Sequence, residues 1–161
     1  MSEPLGELDL RLLDCLQKDN LQTAEQLAEQ VGRSPSAVAR RVRRLRASGA
    51  IAADLSVLSE KAAGHPLFAI VQIQLERHAL QAADLFRRRL LSSPNVQFCL
   101  DVSGAFDIVL MLVTSDMSDY NEVARVLLEE QPAVRRFETS FVKRRAKATL
   151  AVPFDVLSAG R

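Results

Sequence analysis

The hydrophobic residues of this chain change their spacing near the middle of the sequence. Before residue 50 they recur every three or four positions, the period of an α-helix, as Leu8, Leu12 and Leu16 do. From Leu67 onward several segments alternate apolar and polar residues instead, the period of a half-buried strand. A chain of 161 residues is long enough for two small domains, and an apolar fraction of 48% is enough for their cores.

Three helices are predicted before residue 50. The first covers residues 8–18. The second begins at Thr23, which forms a capping box with Gln26, and stops at Gly32. The third follows at once, with a serine N-cap and a proline at its first position, and ends before Gly49. Two helices joined by so short a turn indicate a helix-turn-helix.

The second half is predicted to mix strands and helices. Strands are expected over residues 69–75, 95–103, 107–113, 136–142 and 148–152, and helices over residues 82–91 and 118–130. The order β-α-β-β-α-β is that of a ferredoxin-like fold, an antiparallel sheet with two helices on one face. We therefore predict an α+β protein. It has a winged helix-turn-helix domain over residues 1–53, a linker over 54–66 and a ferredoxin-like domain over 67–161, and residues 51–66 could supply the wing strand.

The third predicted helix concentrates positive charge. Residues 33–46 contain six arginines and no acidic residue, although the net charge of the whole chain is only +1. At about 100° per residue, the apolar positions of this helix form one stripe and most arginines lie opposite it. The apolar stripe comprises Val38, Val42 and Leu45.

Such a helix has the properties of a DNA recognition helix. A major groove admits one α-helix, and arginine binds guanine edges and phosphates. The alternative is a solvated basic face on an ordinary helix, but the capped helix pair and the lack of acidic partners four residues away favour DNA binding. The predicted DNA-contacting residues are Arg33, Ser34, Ser36, Ala37, Arg40, Arg41, Arg43 and Arg44.

The sheet is predicted to have an uncovered apolar face. A five- or six-stranded sheet with helices on one side leaves the other side bare, and the apolar run over residues 108–113 places apolar side chains on both sides. A patch of this kind marks an interface, so the protein is predicted to be at least a dimer. A two-fold dimer would place its recognition helices on half-sites about one DNA turn, or a multiple of it, apart.

From about residue 8 to residue 153 the sequence resembles the Lrp/AsnC, or feast/famine, family of bacterial and archaeal regulators. In the first half the resemblance rests on Leu8-Asp9 with Asp14 and Leu16, on Leu27-Ala28 before Gly32, on Ser34-Pro35-Ser36-Ala37-Val38-Ala39-Arg40-Arg41-Val42-Arg43-Arg44-Leu45, and on Gly49-Ala50-Ile51. In the second half it rests on Val102-Ser103-Gly104-Ala105-Phe106-Asp107 and Thr139. Each motif alone is weak, but their order and spacing together are specific. The chain departs from the family's usual residues at Leu21, Arg33 and Ile108.

The resemblance implies a transcriptional regulator that responds to an amino acid or related metabolite. Family members pair their sheets face to face into dimers, which often assemble further, commonly into octamers, and they bind effectors between subunits. The effector residues expected here are Val102, Ser103, Gly104, Ala105, Phe106 and Asp107 of one subunit, with Glu138 and Thr139 of a neighbour. Gly104 leaves room for a ligand carboxylate at backbone amides, and Asp107 could hold an amino group. Alternatively, Asp107 holds its own hairpin.

Other functions have little support in the sequence. No apolar run is long enough to span a bilayer and no leader precedes the first helix, which favours the cytoplasm and no membrane partner. The histidines (His65 and His78) and the cysteines show no metal-ligand or catalytic arrangement, so no metal, cofactor or catalytic residue is predicted.

Two alternative functions remain. One is a haem-biosynthesis decarboxylase-like enzyme on the same two domains, but those enzymes carry an aromatic- and histidine-containing stretch on the middle strand pair. Residues 103–113 contain no histidine or tyrosine. The other is an interaction module that has lost DNA binding, against which the intact arginine face argues.

Overall fold

Three helices form the N-terminal part of the protein, as the sequence predicts. The computed structural model describes residues 4–76 and 80–159, so His78 lies outside the described residues. The helices are α1 (Glu7–Lys18), α2 (Ala24–Val31) and α3 (Pro35–Ala47).

Capping fixes α2 and α3 at the predicted positions. The Gln26 N–H donates to Thr23 Oγ1 at 3.3 Å, and the Thr23 N–H donates to Gln26 Oε1 at 2.8 Å. Gly32 ends α2 in the left-handed conformation, at φ 66°, and the Ala37 N–H donates to Ser34 Oγ at 3.4 Å. The turn between the two helices is therefore short, and they share one core. That core comprises Leu12, Leu16, Leu27, Ala28, Val31, Val38, Val42 and Leu45.

The second half forms a four-stranded antiparallel sheet with two helices on one face. The strands are β1 (Leu67–Leu75), β2 (Val96–Asp101), β3 (Ile108–Thr114) and β4 (Val134–Phe141), in the order β2-β3-β1-β4. Phe86 of α4 (Leu80–Ser92) and Tyr120 of α5 (Met117–Ala124) pack with alternate residues of β1 and β3. The predicted β-α-β-β-α-β order is confirmed.

Helix α5 continues into a π-helical turn over Arg125–Glu129. The Glu130 N–H donates to the Arg125 carbonyl, five residues back, at 3.1 Å. Gln131 Nε2 donates to the Val126 carbonyl at 2.6 Å. A side chain that inserts into the carbonyl ladder in this way widens a helix, so the predicted helix over residues 118–130 ends as a bulge.

Two expected strands are not formed. Residues 148–152 are described and are not a strand, so the sheet has four strands rather than five or six. Val152 uses its backbone elsewhere: Gln17 Nε2 donates to its carbonyl at 2.5 Å, and Gln17 Oε1 accepts from its N–H at 2.8 Å. Residues 51–66, all described, contain no wing strand, and turns over residues 60–64 occupy part of this segment.

The described residues divide into two compact units. Residues 4–57 pack together with residues 147–159, and we call this the helical unit; residues 58–146 form the sheet unit. The final helix, α6 (Phe154–Ala159), contacts α1 within the helical unit. The sequence predicts a second domain that runs to residue 161, whereas residues 147–159 group with the helical unit.

Candidate nucleic-acid interface and effector hairpin

Helix α3 presents arginines on the face opposite its buried stripe. The buried residues are the predicted ones, Val38, Val42 and Leu45. Arg40 and Arg43 are exposed on the opposite side. The predicted contact residues near the start of the helix also lie at the surface, with Arg33, Ser34 and Ser36 exposed and Ala37 half-buried. This face can donate hydrogen bonds to base edges and phosphates.

Two further arginines of α3 turn towards a buried carboxylate on α1. Asp9 is fully buried, and its two oxygens accept from Arg41 Nε at 2.6 Å and from Arg41 Nη2 at 3.0 Å. Arg44 Nη2 lies 3.4 Å from both oxygens, and the Gly6 N–H donates to Oδ2 at 2.8 Å. The hydrogen bond from Arg41 holds the pKa of Asp9 below its usual range, although burial alone would raise it.

Asp9 therefore joins α3 to the start of α1, a connection that the sequence interpretation missed. The sequence does contain a sign of this connection: Asp9 is an acidic residue at helical spacing from Leu12 and Leu16, within the apolar stripe of α1. Farther along α3, Arg46 forms an ion pair with Asp54 at 2.8 Å. The arginines of α3 thus divide into those that bind carboxylates of the helical unit and those that face outward.

The predicted effector hairpin lies between β2 and β3, and Asp107 fastens it to β1. Asp107 Oδ2 accepts from the Leu75 N–H at 2.8 Å, and the Asp107 N–H donates to the Ile73 carbonyl at 2.9 Å. At the tip, Gly104 has φ 153° and open space where a Cβ would stand. The carboxylate thus holds a neighbouring strand rather than an amide of its own hairpin, and the effector role of Asp107 stays a prediction.

The two predicted effector residues on β4 point to opposite sides of the sheet. The Thr139 hydroxyl lies 2.6 Å from the Tyr120 hydroxyl of α5, on the helix-covered side. Glu138 lies on the bare side, within 3.5 Å of Arg136. Arg136 also stacks over Phe106 of the hairpin, 5.3 Å from the ring centre. The structure therefore brings Arg136, rather than Thr139, next to the hairpin of the same chain.

The sheet face away from the helices is apolar on three strands. On β3, Val109 and Met111 lie on this face, between the buried residues of the opposite side. The pairing register adds Ile70 of β1 beside Met111, with Phe98 and Leu100 of β2 on the other side. Phe98 and Leu100 are 37% and 54% exposed. The apolar face predicted from residues 108–113 is confirmed for the single chain.

Other kinds of site are not found in the described part of the chain. Over residues 4–76 and 80–159, no three potential metal-ligating side chains come together. No helix in the same ranges is long and apolar enough to cross a bilayer.

Comparison with known proteins gives matches over nearly the whole chain. A family described as winged helix-turn-helix DNA-binding matches residues 5–52, and one described as Lrp/AsnC ligand binding domain matches residues 68–152. An uncharacterised HTH-type transcriptional regulator of Sinorhizobium fredii is 39% identical over 152 residues, or 94% of this chain and 90% of the relative. The leucine-responsive regulatory protein of Escherichia coli is 32% identical over 143 residues, which is 89% of this chain and 87% of the relative.

A solved structure is similar over the same extent. A transcriptional regulator of Neisseria meningitidis, determined as a complex with L-methionine, superposes with a TM-score of 0.86 at 25% identity. The match covers 96% of this chain and 99% of the other.

Proposed function

This chain belongs to the Lrp/AsnC family of DNA-binding transcriptional regulators, and from that premise we propose how its own residues read DNA, bind an effector and assemble. Its activity is regulation rather than enzymatic catalysis, in keeping with relatives that are named as regulators. The decarboxylase alternative is not favoured. The proposed location is the cytoplasm, as for a regulator that acts on chromosomal DNA.

Helix α3 enters the major groove and reads bases through Arg40 and Arg43. The observation that carries this assignment is their exposure opposite the buried Val38 stripe. Arg33, Ser34, Ser36 and Ala37 contact the backbone from the start of the helix, where amide groups point outward. Arg41 has a structural role instead: its guanidinium binds Asp9 and thereby sets the orientation of α3. Arg44 has both a protein contact and an exposed side chain, 46% accessible, that can reach phosphate.

Single alanine substitutions test this division. Arg40→Ala and Arg43→Ala should each weaken binding to a selected duplex by about 1–3 kcal/mol, roughly 5- to 150-fold in Kd, and relax sequence preference. Arg88→Ala removes an exposed arginine from the sheet unit and serves as the control. Wild-type affinity and preference in both α3 variants, measured by fluorescence anisotropy, would rule out this reading face.

The hairpin of residues 103–107 is the proposed effector site, and an amino acid is the proposed effector. The methionine complex of the Neisseria relative supports this choice. Backbone amides around Gly104 receive the ligand carboxylate, since no side chain blocks their approach. Asp107 attracts the amino group of the ligand. The shape of the hairpin is set by Val102, Ser103, Ala105 and Phe106. A neighbouring subunit contributes Glu138 and Thr139.

A thermal-shift screen against the amino acids tests the effector site, because a ligand that binds the native state raises Tm. Asp107→Asn should abolish the ligand-dependent shift while Tm without ligand stays close to wild type. The asparagine oxygen can still accept from Leu75 N–H, but the charge that attracts an amino group is gone. Asp101→Asn, at the end of β2, is the control. An undiminished shift in Asp107→Asn would place the ligand elsewhere.

The bare sheet face is the proposed dimer interface. Its apolar residues on β1, β2 and β3 would be covered by a second copy, since a soluble monomer rarely exposes a large apolar patch. Such a dimer carries two α3 helices for two half-sites of DNA. Further assembly of dimers, for example into an octamer, would use surfaces outside this face.

A further inference from the structure

A run of basic residues follows β4 within the sheet unit. Lys143, Arg144 and Arg145 follow this strand after one intervening residue, and Lys147 lies at the start of the C-terminal segment. No acidic residue occurs between Glu138 and Asp155. For a chain with a net charge of only +1, this is a second local concentration of positive charge besides α3.

The third residue of this run, Arg145, forms part of a fixed wall. Arg145 Nε donates to Glu60 Oε1 at 2.9 Å, and its guanidinium lies 4.4 Å from the ring centre of Phe68. The turn that carries Glu60 is itself fixed, because the His65 N–H donates to the Glu60 carbonyl at 2.8 Å. Arg145 therefore joins the turn, β1 and the end of β4 into one surface.

Lys143 and Arg144 line a small cavity against that wall. The cavity has a volume of about 140 Å³, and both side chains are exposed beside it. The other lining residues are Glu60, His65, Pro66, Phe68, Val142 and Arg145. Among the residues that the structure describes, neither Lys143 nor Arg144 forms an ion pair, so their charge is available to a ligand.

The charge and size of the cavity indicate its ligand. Three cations and one carboxylate line it, which favours an anion. Pockets for free small molecules usually measure about 300–1,000 Å³, so this cavity is too small for most metabolites but large enough for a single phosphate group. A phosphate group that belongs to a polymer fits both the positive charge and the small volume of the cavity.

We propose that Lys143 and Arg144 bind the phosphodiester backbone of DNA, as a contact separate from the recognition helix. The DNA backbone is the same at every base sequence, so this contact adds affinity and salt dependence without reading bases. The inference rests on the DNA-binding function of the chain but not on the assignment of Arg40 and Arg43.

The double variant Lys143→Ala/Arg144→Ala tests the contact. The Kd for a duplex selected by the wild-type protein, and for a scrambled duplex of the same length, is measured over a range of salt concentrations. Each lost phosphate contact should reduce the slope of log K against log salt by roughly 0.9, so the slope falls by up to about 1.8 per protomer. Both duplexes should weaken alike, which leaves the specificity ratio unchanged.

A matched control separates a local contact from a general effect of charge. Arg88→Ala/Arg89→Ala removes the same charge from the exposed side of α4 and should leave the slope at its wild-type value. An unchanged slope in the Lys143/Arg144 variant, or an equal loss in the control, overturns the proposal. So does a Tm increase with inorganic phosphate that disappears in the variant while the DNA slope stays unchanged, since the site then binds a free anion. Absence of DNA binding by the wild type would instead refute the function itself.

Discussion

At the scale of single residues, the carboxylate of Asp9 links three parts of the helical unit. It accepts from Gly6 at the start of α1 and from Arg41 on α3, and Arg44 lies close by. Arg41 is about a third exposed, so the pair is buried from one side only. The orientation of the recognition helix therefore depends on a residue 32 positions earlier in the chain.

We expect Asp9→Ala to lower the free energy of unfolding by about 3 kcal/mol at pH 7, the low end for breaking a buried pair because Arg41 keeps some solvent contact. Urea denaturation followed by circular dichroism measures the loss. Asp14→Asn, which breaks a surface pair with Lys18, is the control and should cost no more than about 0.5 kcal/mol. Equal losses in the two variants would contradict the role given to Asp9.

The lowered pKa of Asp9 also predicts a pH dependence. Folding favours the ionised carboxylate, so its contribution to stability is complete above the unfolded-state pKa of about 3.9. The contribution is lost as the pH falls through the lower, folded-state pKa. Between about pH 5 and pH 2, wild-type protein should therefore lose more free energy of unfolding than Asp9→Asn, which cannot titrate at this position. Parallel pH profiles of the two proteins would argue against this coupling.

The sequence predicts the contacts of a residue better when its partners lie close to it along the chain. The buried stripe of Val38, Val42 and Leu45 follows from helical geometry alone and is confirmed. The Asp9–Arg41 pair depends on how two helices pack, which periodicity does not specify. The opposite directions of Glu138 and Thr139, by contrast, follow from the two-residue period of any strand. Their contribution to the effector site of a neighbouring subunit stays a prediction, since a single chain does not test it.

At the scale of elements, the clearest departure from prediction is the segment before α6. Residues 148–152 have the composition of a strand, yet Val152 bonds to the amide of Gln17. A primary amide presents a C=O and an N–H side by side along one edge, so it can pair with the N–H and C=O of a single residue as a neighbouring strand would. Sequence patterns predict which segments favour extended backbone, but not whether their partner is a strand or a side chain.

Gln17→Met tests the importance of this connection for α1. Methionine keeps the helix propensity and approximate length of the side chain but loses both hydrogen bonds to Val152, together with a longer one to Asp14 Oδ1 at 3.3 Å. We expect a loss of about 1 kcal/mol in unfolding free energy, because the freed groups of Val152 can still reach water. Faster amide exchange at Val152 should accompany it. Gln81→Met, on the exposed side of α4, is the control and should change neither quantity.

At the scale of the whole molecule, one face of the sheet is left partly uncovered within the single chain. The buried side of β3 is covered by α4 and α5, whereas Val109 and Met111 on its other side are only half-buried. On β4 the same face carries Arg136 and Glu138. An apolar centre with charged residues at one edge is the usual composition of a protein interface.

Met111→Lys should convert the proposed dimer into folded monomers, because it places a charge at the centre of the apolar face. Light scattering at micromolar concentration measures the mass, and far-ultraviolet circular dichroism checks the fold. Leu85→Lys makes a comparable change at an exposed leucine of α4, 57% accessible, and should leave the dimer intact. A Met111→Lys protein with the mass of the wild type would move the interface to another surface.

The path of the chain between the two units has a practical consequence. Residues 58–146 are an insertion within the helical unit, since the chain leaves that unit once and later returns to it. After one proteolytic cut between residues 58 and 66, we expect the DNA-binding fragment to stay bound to the C-terminal piece, because that piece still includes the segment bound by Gln17. An expression clone that stops at residue 57 encodes a helical unit without that segment. A short artificial loop in place of the insertion would keep that segment with the helical unit, whereas a stop codon after the third helix removes it.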